Sequence, residues 1–198
     1  MRKIILLTLL LCEIMMMGNV YSENITDEIS ESLLRMHILA NSDETCDQEI
    51  KIKVRDYVIE YINDKNMKSK SDVIKSISDM KSDIDNLLKE NGFRYKSEIL
   101  ISNSEFDTRY YSNISIPAGN YQALKIVLGE GNGKNWWCVA YPPLCFTESV
   151  TGEISSNGDK LLCESLNNEA YNIIKNKNVE YRIKFKSIEL INSFFRNN

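Results

Sequence analysis

Cysteine and histidine are the residue types in this chain best suited to chemistry. His37 is the only histidine, so a thiol hydrolase would have to pair it with Cys46, Cys138, Cys145 or Cys163. A thiol nucleophile needs a base within hydrogen-bond reach, and a lone histidine in a strand pattern is more often structural. The sequence therefore favours a protein that is not an enzyme, with a secreted thiol hydrolase as the alternative.

The same residues give little support to a metal site. Zinc sites of this kind use closely spaced pairs such as Cys-x2-Cys, which this chain lacks, and only one histidine is available. We expect neither a metal nor any other cofactor.

A disulfide is the more natural use of the cysteines. Three disulfide connectivities are possible for the four cysteines Cys46, Cys138, Cys145 and Cys163. We favour Cys138 with Cys145, because Pro142-Pro143 between them predicts a turn that would bring the two together. Cys46 and Cys163 are then expected to be free.

A glycine-rich loop, Gly129 to Lys134, precedes the two tryptophans of the chain. Glycine amides can face an anion, but Leu128 and Asn135 stand where a Walker loop requires glycine and Ser or Thr. We therefore predict a flexible recognition loop and not a nucleotide site. In a strand, Trp136 and Trp137 would point to opposite faces, and an exposed tryptophan is a common binding anchor. The alternative is that both are packed.

The N-terminus has the pattern of an export signal. Met1-Arg2-Lys3 is followed by an apolar stretch, Ile4 to Met17, and small residues precede Glu23. We predict a signal peptide over residues 1–22 and cleavage before Glu23, with an uncleaved membrane anchor as the alternative. An exported protein reaches an oxidising compartment in which disulfides persist.

Composition and periodicity predict one α+β domain over residues 23–198, with a small, mainly antiparallel sheet packed against helices. The net charge of -4 argues against a nucleic-acid surface. Residues 23–32 are expected to form a flexible lead-in. The pattern then predicts strands over 33–40, around Ile99 and Ile101, on both sides of a Pro117–Asn120 hairpin turn and over 179–185. It predicts helices from Asp47, from Ser71 to Asn91-Gly92, over 161–176 and over 187–195.

Two groups of segments carry distinctive motifs. One group is Leu34 to Asp43, with Asp47-Gln48 and Lys53 to Asp56 following it. The more specific group is Pro117-Ala118-Gly119 and the run from Gly129 through Trp136-Trp137-Cys138 to Pro142-Pro143-Leu144-Cys145-Phe146. Together these segments resemble the stage II sporulation protein R family.

This resemblance implies an exported signalling protein of endospore formation, made in the forespore and secreted into the space between forespore and mother cell. There the family activates a membrane-embedded aspartic protease that processes pro-sigma-E. The resemblance implies no catalytic residues, and we expect neither a nucleic-acid partner nor a small-molecule substrate. Membrane contact would come through the partner or an uncleaved signal.

The residues expected to contact that partner lie in the tryptophan segment. We assign the activating surface to the loop closed by Cys138 and Cys145, with Gly131, Gly133, Lys134, Asn135, Trp136, Trp137, Pro142 and Pro143. His37, Asn41 and Asp43 are read as structural or as a second contact patch. A cell-wall or ligand-binding module stays open as a further alternative.

Overall fold

The structure is a computed structural model that describes residues 2–110, 114–144 and 156–175. Its helices are α1 (Arg2–Ser32), α2 (Thr45–Asp64), α3 (Lys70–Lys75), α4 (Ile77–Glu90), α5 (Ser156–Ser165) and α6 (Asn168–Lys175). Its strands are β1 (Leu34–Leu39), β2 (Ser97–Phe106), β3 (Arg109–Tyr110), β4 (Ser115–Ile116), β5 (Gly119–Leu128) and β6 (Asn135–Tyr141).

Strand β1 lies inside the four-stranded sheet, whose order is β2-β5-β1-β6. It runs parallel to β5 and antiparallel to β6, while β2 and β5 form a long antiparallel pair. The α+β class is confirmed. The sheet is mixed, because the chain passes through α2, α3, α4, β2, β3 and β4 before β5 runs parallel to β1.

Both faces of the sheet are covered, which explains why β1 is apolar or buried at nearly every position. Leu34, Met36 and Ile38 alternate toward one face, where they pack in a core with the apolar stripes of α2 and α4. The opposite face carries a second core, to which α1, α5 and α6 contribute. Arg35 and His37 point to this second side and are buried among its aromatic rings.

The prediction of a flexible lead-in over residues 23–32 is wrong. This stretch is the last part of α1, and Ile25, Ile29 and the following Leu33 are buried in the second core. These three apolar residues are spaced four apart and form a stripe on one side of the helix. The stripe is easy to overlook in the sequence because the residues between them are mostly polar. Glu28 adds a polar contact, since the backbone amide of Asn167 donates to its carboxylate at 3.0 Å.

The predicted hairpin across Pro117–Asn120 is also wrong. Strand β4 pairs with β3, and β5 pairs with β2, in a register that sets Gly119 opposite Phe106. The polar run from Ser102 continues β2 up to Phe106, whereas alternation alone suggested a strand around Ile99 and Ile101. Strand pairing supplied the hydrogen bonds that extended this polar segment.

Several predicted helices are present with different bounds. The helix expected from Ser71 is divided into α3 and α4 at Ser76, whose hydroxyl donates to the Val73 carbonyl at 2.8 Å. The one expected over 161–176 is divided into α5 and α6, and the side chain of Asn167 caps α6 by accepting from the Ala170 amide. The strand expected over 179–185 and the helix over 187–195 lie outside the described residues.

Within the part of the chain that the structure describes, no helix has the length and apolarity needed to cross a membrane. The signal peptide over residues 1–22 and cleavage before Glu23 stay predictions.

Replacing Ile29 with alanine tests whether the end of α1 belongs to the domain. Ile29 is fully buried, so Ile29→Ala should lower the free energy of unfolding by about 2–5 kcal/mol. The control is Leu100→Ala, at a side chain that is 43% exposed, which should cost far less. Chemical denaturation of both variants measures the difference, and equal small losses would contradict the packing of α1.

Candidate functional site

The two segments that the sequence singled out lie side by side at one end of the sheet. Residues 40–43 form the turn that leaves β1, and residues 129–134 form the loop that joins β5 to β6. The ends meet because β1 lies between β5 and β6, parallel to the first and antiparallel to the second. We call these ten residues the turn–loop unit.

Hydrogen bonds tie the loop to the turn at successive positions. Four loop amides donate to oxygen atoms of the turn: Glu130 N to Asn41 Oδ1 (3.0 Å), Asn132 N to Asn41 O (3.1 Å), Gly133 N to Ala40 O (2.9 Å) and Lys134 N to Asp43 Oδ1 (2.7 Å). These amides are therefore already paired and do not form a cradle for an anion. The loop is bound to the turn, which differs from the flexible loop that the glycines predicted.

Two glycines of the loop have a steric role. Gly131 has a φ of +66°, and a Cβ at this position would lie 2.6 Å from Val127 Cγ1. A Cβ on Gly133 would lie 2.2 Å from the carbonyl oxygen of Ser42, which is backbone and cannot turn away. The glycines thus permit the close approach of loop and turn.

A buried carboxylate that the site prediction did not include supports the turn from beneath. Asp47, in the first turn of α2, accepts from Asn41 Nδ2 at 2.8 Å, Ser42 Oγ at 2.6 Å and the Tyr95 hydroxyl at 2.5 Å. Burial alone would raise the pKa of Asp47, but these hydrogen bonds outweigh it and hold the pKa below its usual value. The only sequence signal for this role was the position of Asp47 at the start of a predicted helix. Acidic residues are common in the first turn of any helix, so this position did not single out Asp47.

A buried lysine holds the far end of the loop. Lys51 Nζ donates to the carbonyl oxygen of Lys134 at 3.0 Å and to Gln48 Oε1 at 2.6 Å. Burial lowers the pKa of Lys51; the positive charge of Lys134 acts in the same direction, whereas Asp43 opposes it. The exposed side chain of Lys134 is left at the surface, while its backbone is fixed from both sides.

Trp136 and Trp137 point to opposite faces of the sheet, as predicted, and both are half-buried. Trp136 packs against the core formed with α2 and α4, and the Arg55 guanidinium lies 4.6 Å from its ring centroid. Its indole Nε1 is buried and has no hydrogen-bond partner among the described residues.

Trp137 stacks on His37 on the other face, with ring centroids 4.6 Å apart and an interplanar angle of 15°. Phe106 meets Trp137 edge-on at 5.3 Å. Burial, and then the positive charge of Lys125, lower the pKa of His37 from 6.5 to about 4. Neither ring nitrogen of His37 has a hydrogen-bond partner among the described residues, so this histidine is a neutral packing element at pH 7.

The predicted second patch therefore separates into two roles. Asn41 and Asp43 join the glycine loop in one unit, whereas His37 lies beneath Trp137. Cys138 pairs with Met36 in the sheet and faces the α2–α4 core, on the opposite side from His37. This placement argues against a catalytic pair between His37 and Cys138.

The remaining cysteines and prolines complete the picture. Cys46 and Cys163 are free, as predicted, and both are exposed. Pro142-Pro143 lies in the expected turn, in which the Leu144 amide donates to the Val139 carbonyl at 3.2 Å. Cys145 lies outside the described residues, so the disulfide with Cys138 stays a prediction.

Comparisons with known proteins place these segments within a single match. A family model described as Stage II sporulation protein R matches residues 30–151. Stage II sporulation protein R of Bacillus subtilis (strain 168) is 37% identical over 138 residues, covering 67% of this chain and 62% of that protein. The chain thus spans less than two thirds of the length of this relative. No solved structure matches this chain.

A methyl group at position 133 should disrupt the turn–loop unit. Gly133→Ala places a carbon against the backbone of Ser42, so we expect the free energy of unfolding to fall by about 1–3 kcal/mol. The control is Asn132→Ala, at an exposed neighbour whose side chain donates to Glu130 Oε2 at 3.1 Å. Denaturant titration of the two variants tests this, and equal stabilities would contradict the close approach.

The depressed pKa of His37 predicts a pH-dependent stability. Between pH 6.5 and about 4 the unfolded chain binds the proton that the folded chain excludes, so acidification favours unfolding. The shift corresponds to about 3 kcal/mol, present above pH 6.5 and lost as the pH falls to about 4. Unfolding measured from pH 7 to 4 should show this loss in the unmodified protein and not in His37→Phe, which keeps a ring on Trp137; parallel curves would refute the assignment.

Proposed function

Because the chain belongs to the stage II sporulation protein R family, we propose that it is an exported signal of endospore formation that activates a membrane-embedded aspartic protease. That protease then removes the pro-sequence of sigma-E. The chain is made in the forespore and acts in the space between forespore and mother cell. It contributes no catalytic residue of its own and acts by binding its partner.

The observation that supports this role is the convergence of the two family-like segments. Residues 40–43 and 129–134 are about ninety positions apart in sequence, yet the side chain of Asp43 accepts directly from the Lys134 amide. The chain invests several hydrogen bonds and close glycine contacts in fixing one surface loop. A loop with a fixed conformation loses less entropy on binding, which suits a contact surface.

The exposed groups of this surface are polar and lie close to the tryptophans. Asp43, Glu130, Lys134 and Asn135 are exposed, and the half-buried Trp136 and Trp137 follow directly. Within β6, Trp136 packs beside Arg55 and Trp137 stacks on His37. The two indoles therefore hold the strand that follows the loop, and their exposed parts remain available to a partner. We assign the partner contact to Lys134, Asn135 and Trp137 in particular.

The disulfide between Cys138 and Cys145 is part of this proposal. Cys138 is 3% exposed at the centre of β6, and the turn at Pro142-Pro143 reverses the chain after it. A bond there would fix the end of β6 against that turn. A thiol hydrolase is less favoured, because His37 is buried on one face of the sheet while Cys138 lies on the other and Cys46 is exposed.

Co-expression in a non-sporulating bacterium tests the proposal. The full chain, the cognate protease and tagged pro-sigma-E are expressed together, and shortening of the precursor is followed on a blot. Processing should require this chain. Absence of processing with all three proteins present, and with this chain exported, would overturn the proposal; sedimentation with purified wall material would then favour a binding module.

Variants in the same assay locate the contact surface. Lys134→Ala with Asn135→Ala removes exposed side chains without altering the loop amides, so folding should persist while processing falls about ten-fold or more. The matched control is Asn63→Ala with Lys65→Ala, an exposed pair at the opposite end of α2. Equal processing by both double variants would show that the contact lies elsewhere.

A further inference from the structure

Asp47 is the point at which three separate segments are joined, although no role follows for it from the family resemblance. It is 4% exposed, and its two oxygens accept from the turn and from Tyr95, which lies between α4 and β2. Two of these contacts come from Asn41 and Ser42, within the turn–loop unit itself. The carboxylate thus connects the unit to the body of the domain.

The carboxylate also sets the orientation of the Asn41 side chain. Asn41 Nδ2 donates to Asp47, which directs Asn41 Oδ1 toward the amide of Glu130. Turning the amide by 180° would place an NH2 group against the Glu130 N–H and an oxygen against the carboxylate. Asp47 therefore controls, through Asn41, the first hydrogen bond that draws the glycine loop onto the turn.

Charge matters here as well as shape. Three side chains donate hydrogen bonds to Asp47 within the part of the chain that the structure describes: Asn41 through Nδ2, and Ser42 and Tyr95 through their hydroxyl groups. An ionised carboxylate accepts at both oxygens, whereas an amide of nearly equal shape has one oxygen and one NH2 group. An asparagine that still accepts from Asn41 and Ser42 would point its NH2 group at the Tyr95 hydroxyl, which would have to accept instead of donating. The negative charge that strengthens all three hydrogen bonds would also be lost.

We propose that Asp47 is a positioning residue of the activating surface, which holds the glycine loop in its binding conformation through Asn41. It acts from beneath the surface and does not itself touch the partner. The inference depends on the proposed function for its effect on activation. Its effect on the loop is independent of that function.

The test compares Asp47→Asn with Asp85→Asn in the full chain. Asp85 is a matched control, because its carboxylate also accepts from a serine hydroxyl and an amide, both of Ser97 at 2.7 Å, and pairs with Lys81. It lies within α4 and joins this helix to Ser97, the first residue of β2, outside the turn–loop unit. Both substitutions remove one hydrogen-bonded negative charge, from the buried Asp47 and from the partly buried Asp85, so the comparison separates loss of such a charge from an effect on the loop.

The first measurement is hydrogen exchange at the amides of Glu130, Asn132, Gly133 and Lys134. Asp47→Asn should accelerate their exchange about 10–100-fold, as expected for the loss of a charge-assisted hydrogen bond, while Asp85→Asn leaves them unchanged. The exchanged pair Asn41→Asp with Asp47→Asn restores a carboxylate opposite an amide and should recover part of the protection at Glu130. Tyr95→Phe removes a single donor and provides the test if Asp47→Asn does not fold.

The second measurement is precursor processing in the co-expression assay. Asp47→Asn should lower processing about ten-fold, with Asp85→Asn close to the unmodified chain. Unchanged loop exchange in Asp47→Asn, or no recovery in the exchanged pair, would overturn the positioning role. Faster exchange with normal processing would overturn its link to activation. If the unmodified chain supports no processing, the proposed function fails, while the exchange experiment still decides the role of Asp47.

Discussion

The hydrogen bonding between the turn after β1 and the loop before β6 is the constraint on which the candidate site depends. It requires β1 to lie between β5 and β6, because only then do the three strand ends meet. It also requires glycine at position 133, where the loop crosses the Ser42 carbonyl. The mixed sheet, the loop glycines and the buried Asp47 are thus parts of one solution to holding two distant segments together.

The tryptophans extend this constraint into β6. Adjacent residues of a strand face opposite sides, so Trp136 and Trp137 fix β6 against both cores at once. One indole packs beside a guanidinium, at Arg55, and the other stacks on the neutral ring of His37. An anchored strand carries little motion into the loop that precedes it, which supports the fixed conformation of Gly129 to Lys134. Because each indole is only half-buried, it can pack against a core and still present part of its ring to a binding partner.

Periodic apolar segments allowed the sequence to predict the α+β class, β1, α2 and the opposite orientation of the two tryptophans. It failed where contacts between distant segments decide local structure. Alternation on both sides of Pro117 suggested a hairpin, yet β5 gains ten paired positions with β2. The glycine loop looked flexible because a sequence does not show that Asn41 and Asp43 accept from its amides. Asp47 was hidden among many carboxylates, since its donors come from two other segments.

The position of α1 implies that cleavage of the N-terminal segment would not alter the structure of the turn–loop unit. Ile25, Ile29 and Leu33 remain with the domain if the chain is cut before Glu23, so the second core keeps its α1 contacts. The turn–loop unit lies at the other end of β1, about 20 Å from the end of α1 for a six-residue strand. Removal or retention of the apolar segment thus leaves the geometry between the 40–43 turn and the glycine loop the same.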